Sequence, residues 1–420
     1  MKLVGGAALG LATMLVLSSC GSGGGDAATG GDKAADGGAV TLKLVAADYG
    51  TPGKPDSGEV FWKSVVDEFQ AANPKIKVDV QVINWNDIDK QVATMVQNNQ
   101  PPDILQTGGY AGFVKDGLLH KVDEIVSPDV QSDLLQKFAD YGKVDGTAYG
   151  LPFLSSARAL FYNKELFEKA GITEPPKTWD ELKAAAEQLK KSGVTQPFGL
   201  PLGNEEAQAE SYLWMMGNGG GYQDASGKWA INSPQNVEAF TFVKGLVDAG
   251  LTTPNPGTKN RKDVWADFAA GKVGMTNGGP MAMPGFDAGA VKDKYGVVAI
   301  PGKAGPLTTT LGVMDWIMAF NKNNHAAEIK TFMDFFYKGS AAQKILDTYK
   351  FTPVTKSASE KASSDEKMKP FLDTLPNASF YPFTDPKWEE VSTQVKQTMG
   401  GVVKDPKATL DALQKVADAG

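Results

Sequence analysis

Phe161-Tyr162-Asn163-Lys164-Glu165-Leu166-Phe167-Glu168-Lys169-Ala170-Gly171-Ile172, followed after three residues by Pro176-Lys177-Thr178-Trp179-Asp180-Glu181-Leu182, carries the reading of the fold. Residues 159–162 are apolar and aromatic, the composition of a buried strand. Lys164 to Ala170 then reads as a helix. Thr178 with Glu181 three residues on is a capping box, in which each side chain satisfies a backbone N–H that the first helical turn leaves unpaired. Leu182, Ala185, Ala186 and Leu189 recur at helical spacing and mark the face that this second helix buries.

The same alternation extends in both directions. Leu42, Leu44 and Val45-Ala46 form a first strand, broken by the loop of residues 48–53. Phe61, Val65, Phe69 and Ala72 give an amphipathic helix that Asn73-Pro74 ends, and Ile76, Val78, Val80 and Val82 alternate as a strand. Ile88, Val92, Met95 and Val96 share a helix face, and residues 101–105 return to strand. Ser233-Pro234, Asp385-Pro386 and Asp405-Pro406 each open a further helix. Strands alternating with helices predict α/β architecture with a largely parallel sheet.

The N-terminus bears on location. Lys2 precedes an apolar run from Leu3 to Leu17 and then Ser18-Ser19-Cys20. That run is shorter than the roughly 20 residues a membrane span needs, and its flanks are those of a secretory signal. Cys20 is the only cysteine, so no internal disulfide is possible. Leu17-Ser18-Ser19-Cys20 resembles the bacterial lipobox, which implies an acylated Cys20 and an extracytoplasmic chain anchored to the cell membrane by that lipid. Residues 21–40 contain no large apolar side chain before Val40 and read as a flexible tether. The remaining length, about 380 residues, exceeds one core and suits two domains.

A net charge of −7 with no Lys/Arg-rich run argues against a nucleic-acid partner. Two histidines and no HExxH or GxSxG leave little for hydrolytic chemistry, and no metal or cofactor is expected.

In order along the chain, Pro102-Asp103-Ile104, Tyr149-Gly150-Leu151-Pro152-Phe153, the two segments quoted first, Phe268-Ala269-Ala270-Gly271-Lys272-Val273-Gly274-Met275 and Tyr295-Gly296-Val297-Val298-Ala299-Ile300-Pro301 resemble the family 1 extracellular solute-binding proteins, relatives of maltose-binding protein. The resemblance covers 41–420. It implies a type II periplasmic-binding-protein-like fold of two α/β lobes joined by crossing hinge strands. Crossings are expected near Pro152–Ser155, Ile300–Pro301 and Tyr337–Gly339. Lobe 1 would then be 41–152 plus 301–338, and lobe 2 would be 153–300 plus 339–420. It further implies a monomeric, non-enzymatic carrier that delivers a carbohydrate to the membrane subunits of an ABC importer.

A sugar needs a flat ring against its C–H face and planar polar groups at its hydroxyl edge. Candidates follow predicted strands: Asp48 and Tyr49; Trp85; Gly108, Gly109 and Tyr110; Arg158; Asn204, Glu205, Glu206, Glu210 and Trp214; Arg261; Asn277, Gly278 and Gly279; Asp315 and Trp316. Trp85 and Trp316 have core packing as their alternative, and the three glutamates a solvated helix start. Arg158 and Arg261, the only arginines, read either as forks for a ligand or as structural ion pairs. The glutamates could instead take a cation such as an amino sugar or polyamine, and the arginines a phosphate ester such as glycerol 3-phosphate. A surface hydrolase and a scaffold lipoprotein are the remote alternatives. The expected phenotype is that Trp316→Ala and Glu206→Ala weaken binding without unfolding the chain. Trp62, Trp179, Trp265 and Trp388, within helical patterns, read as packing residues.

Overall fold

The computed structural model describes residues 39–50, 53–85 and 87–419. Cys20, the signal and the tether as far as residue 38 lie outside the described residues. Eleven strands form two main sheets and a small hairpin. They are β1 Val40–Ala47, β2 Ile76–Ile83, β3 Ile104–Thr107, β4 Lys143–Val144, β5 Thr147–Ala148, β6 Gly150–Ser156, β7 Ala159–Asn163, β8 Gln196–Gly199, β9 Val273–Gly278, β10 Tyr295–Val298 and β11 Val313–Ala319. The first sheet has the order β2-β1-β3-β11-β6 and the second β10-β7-β9-β8, with β4-β5 as the hairpin. Helices cover both sheets, giving two α/β lobes.

The expectation of a largely parallel sheet is corrected. β1 runs parallel to β2 and β3, and β8 to β9. β11 is antiparallel to β3 and β6, and β7 to β9 and β10. The antiparallel strands are those flanking the passages between lobes, where the chain arrives from the opposite side instead of through a right-handed crossover helix.

Each lobe has its own core. Trp62 stacks on Phe153 at 5.7 Å and on Phe336 at 5.8 Å behind the first sheet. In the second lobe the helix Trp179–Lys191 buries Trp179, Leu182, Ala185, Ala186 and Leu189, the face anticipated from its spacing. Trp388 closes the same core with Val391, Val395, Leu410 and Leu413.

The passages fall later than expected. Pro152 and Ser155 still pair with Trp316 and Met314 inside the first sheet, so the chain crosses at Ala157-Arg158. Gly302 still pairs with Thr178, so the return lies between there and Val313. The helix Ala341–Tyr349, expected in lobe 2, packs Ala341, Ile345 and Tyr349 into the first core with Phe61, Trp62 and Phe336. Its apolar face fits the surface those rings leave open. Thr352 stays with that lobe, its hydroxyl 2.8 Å from that of Ser155.

Thr178 and Glu181 close the capping box seen in the sequence, with the Glu181 backbone N–H donating to Thr178 Oγ1 at 3.2 Å. Thr178→Ala should cost about 1 kcal/mol, measured as a lower urea midpoint with unchanged slope. An unchanged midpoint would show that the cap contributes nothing.

Candidate functional site

The site grows out of the first passage. Arg158 is one of the two residues between β6 and β7, and Thr310 of the return passage lies against it, fully buried. The Arg158 N–H donates to Thr310 Oγ1 at 2.7 Å, and the Thr310 hydroxyl donates to the Arg158 carbonyl at 3.0 Å. One hydroxyl thus satisfies both backbone groups of a residue that a sheet ladder cannot reach. A third pass joins them, the Ser379 N–H donating to the Thr310 carbonyl at 2.9 Å.

From this clasp the Arg158 guanidinium turns into the second lobe. It donates to Ser156 Oγ at 2.7 Å and to Glu206 Oε1 at 2.9 Å. Arg261 donates to the other Glu206 oxygen and to Glu205 Oε1 at 3.1 Å, while its guanidinium lies 5.0 Å from the centroid of the Trp265 ring. Burial works to raise Glu206, but the charges of Arg261 and Arg158 outweigh it and hold the carboxyl below its usual range. Arg261 is raised for the converse reason: its two glutamates overcome burial. Beside them, Glu210 Oε1 accepts from Trp214 Nε1 at 2.9 Å and from Asn277 Nδ2 at 3.0 Å. Burial pushes Glu210 up to about 7.

The first lobe contributes Asp315. Tyr49 donates its hydroxyl to Asp315 Oδ2 at 2.8 Å, and Gln106 Nε2 donates to the Tyr49 hydroxyl at 2.6 Å. Asp315 is also pushed up to about 7, first by burial; Glu206 adds to this while Arg158 opposes it. Charges on opposite lobes therefore sense one another. Trp85 completes this side, 38% exposed, edge-on to Tyr49 with centroids 5.5 Å apart. Arg158, Glu206, Glu210, Arg261, Trp265, Asn277 and Gly278 line a cavity of about 20 Å³.

From the expected set the structure gathers Arg158, Glu206, Glu210, Arg261, Asn277 and Gly278 around one cavity, with Glu205 paired to Arg261 and with Tyr49, Trp85 and Asp315 grouped in the first lobe. Five others it sends elsewhere. Asp48 Oδ1 accepts from Gly50 N–H at 3.2 Å and Gly58 N–H at 2.8 Å, so it fixes the loop and the start of the next helix. Tyr110 is buried, with its hydroxyl donating to the Gly142 carbonyl. Trp316 is 1% exposed, packed on Tyr110 at 5.3 Å and Phe383 at 5.4 Å. Trp214 lies in the second core against Phe198 and Phe242, only its N–H reaching Glu210. Asn204 is exposed on a separate groove beside Lys396 and Gln397.

Gln106, Thr310 and Tyr381 were not anticipated. Gln106 precedes the end of β3, a position that a search of loops after strands passes over. Thr310 is a hydroxyl in an irregular segment with no periodic signal. Tyr381, close enough to feel Glu206, Arg158 and Arg261, lies far away in sequence.

Two predictions follow from this geometry. Trp316→Ala, expected from sequence to spare the fold, should cost about 3–5 kcal/mol of stability because it empties a core site; denaturant titration reads it. Asp315 and Glu210 keep their protons to about 7 in the folded chain, whereas unfolded carboxylates lose them near about 4. Between those limits the folded state binds more protons, so their contribution to stability falls as pH rises. The melting temperature should drop from about pH 5 to about pH 8, and Asp315→Asn should flatten that slope; parallel slopes would place the titration elsewhere.

Comparison with known proteins places this geometry. A family model described as bacterial extracellular solute-binding protein matches residues 51–343. A Brucella abortus (strain 2308) protein named only as a binding protein is 31% identical over 395 residues, 89% of this chain and 93% of the relative. The sn-glycerol-3-phosphate-binding periplasmic protein UgpB of Brucella melitensis is 27% identical over 291 residues, 64% of this chain and 65% of its own. The maltose-bound MalE3 of T. maritima has a TM-score of 0.78 at 20% identity, covering 90% of this chain and 98% of that one. That likeness establishes the two-lobed type II periplasmic-binding-protein fold. Matched by the family model over 51–343 and by a relative at 31% identity across nearly all of both sequences, the chain belongs to the bacterial extracellular solute-binding proteins.

Proposed function

We propose that this chain captures a neutral carbohydrate between its lobes and presents it to the membrane subunits of an ABC importer, held to the outer face of the membrane by a lipid on Cys20. One observation carries the reading: polar groups and an indole ring of the second lobe line one cavity, and Asp315 of the first lobe lies close enough to feel the charges of Glu206 and Arg158. Asp315, Tyr49 and Trp85 come from the first lobe; Glu206, Arg261, Asn277 and Trp265 come from the second. Such a set suits hydroxyls at a ring edge and C–H groups on its face.

The relative named for sn-glycerol 3-phosphate raises the phosphate reading, and the electrostatics weigh against it. Both arginines are already paired, Arg158 with Glu206 and Arg261 with Glu205 and Glu206. A phosphate would have to displace a carboxylate and then sit beside Asp315 and Glu210. Neutral hydroxyls need no such exchange. The cavity, at about 20 Å³, has room for about one water molecule, and on our reading the sugar is taken up by hinge motion of the lobes about the passages at Ala157-Arg158 and Thr310. The role needs no bond-breaking chemistry, and we read it as capture by a monomer with lobes of about 39–156 plus 313–357 and 159–312 plus 388–419.

A thermal-shift panel on residues 21–420 with mono-, di- and trisaccharides, polyols, amino sugars, polyamines and sn-glycerol 3-phosphate tests this. A ligand at a hundred times its dissociation constant stabilises the native state by about 2.7 kcal/mol. A neutral sugar should shift the melt, and Glu206→Gln should abolish the shift. Hits confined to the phosphate ester or to polyamines would overturn the carbohydrate reading and keep solute capture.

A further inference from the structure

The cavity between Arg261 and Asn277 contains polar groups that the protein itself leaves unanswered. Asn277 is 5% exposed; its amide N–H donates to Glu210, yet its Oδ1 has no hydrogen-bond partner among the described residues. Arg261 spends its two terminal nitrogens on Glu205 and Glu206, while its Nε, also buried, has none. Both residues line the same space of about 20 Å³. Leaving a buried donor or acceptor unpaired costs free energy, and these two, of opposite type, belong to residues that share one small cavity.

We propose that this space is a subsite for a single hydroxyl of the captured molecule, which donates to Asn277 Oδ1 and accepts from Arg261 Nε. The assignment deepens the carbohydrate reading and rests on it only for the identity of the parent molecule. Chemistry narrows the choice. An ammonium only donates, and a carboxylate or phosphate oxygen only accepts. An anionic oxygen would also meet the carboxyls of Glu206 and Glu210, which line the same space. A methyl group does neither job. The hydroxyl does both. Ala209 and Leu213 on the same wall present apolar surface to the carbon that bears it. Gly278 belongs here for a steric reason: a Cβ there would lie 3.0 Å from the Phe161 ring and 3.2 Å from Trp265 Nε1. The Phe161 ring and the indole would have to give by a few tenths of an ångström, and the Arg261 guanidinium lies over that indole.

The test uses the parent sugar returned by the panel and its monodeoxy analogues, with affinities measured by calorimetry on the wild type and on Asn277→Ala. One position should stand out, its deoxygenation weakening wild-type binding by about 100-fold. In Asn277→Ala that penalty should shrink to a few-fold while deoxygenation elsewhere keeps its wild-type effect, the signature of a direct pair in a double-mutant cycle. Asn277→Ser, which retains a small acceptor, should recover part of the penalty and provides the comparison if the alanine variant does not fold. A penalty of equal size in wild type and variants would overturn the subsite, as would analogues that all bind alike. If the panel returns only sn-glycerol 3-phosphate, the carbohydrate reading falls. The same cycle then runs with 3-hydroxypropyl phosphate, which lacks the secondary hydroxyl. Hydroxyl dependence through Asn277 would keep the subsite, and its absence would remove it. A folded protein that binds nothing in the panel would sink both.

Discussion

One threonine hydroxyl holds the place where the two lobes meet. The chain leaves the first sheet for the second in only two residues, and at Arg158 its backbone has no ladder to join. Thr310 answers both the N–H and the carbonyl of that residue from the returning segment, and Ser379 ties a third pass to the same point. Because Arg158 is also the first cation of the site, the joint and the binding surface share an atom framework. Any rotation of one lobe against the other must act at the base of the Arg158–Glu206–Arg261 chain.

That chain makes the electrostatics of the site specific. Two guanidiniums meet two carboxylates and spend their charge locally, which keeps Glu206 ionised although it is only 15% exposed. Asp315 and Glu210 lie just outside this neutralised group, and burial holds them protonated to about 7. The result is a set of hydrogen-bonding groups with little free charge. The sequence offered the same residues as separate cation and phosphate receptors; their mutual pairing is what changes the reading.

Much of the scaffold was legible because its signals are local. The capping box at Thr178, the alternation in Ile76–Ile83 and the proline caps at Pro234 and Pro406 act over a few residues, where propensity and hydrogen bonding decide. The direction of strands and the extent of each lobe were less legible. They depend on which apolar face meets which, as when the helix Ala341–Tyr349 packs against Trp62 and Phe336 of the first core. Trp316 and Asp315 show the same limit at the site. Adjacent residues of one strand face opposite sides, and only the sheet around them shows that the carboxylate meets Tyr49 while the indole enters the core.

By itself the sequence determined the α/β alternation, the shortage of arginine and histidine and the resemblance of six ordered segments to one family, since each is a matter of residue type and spacing. Only the tertiary structure decided that Tyr110, Trp214 and Trp316 serve packing, that Asp48 fixes a loop, that Gln106 and Thr310 bond Tyr49 and Arg158, and that both arginines are paired. Those outcomes turn on distances between segments far apart in the chain, 152 residues in the case of Arg158 and Thr310. A hydrogen bond is made or lost within a few tenths of an ångström, and no local pattern encodes so exact a meeting.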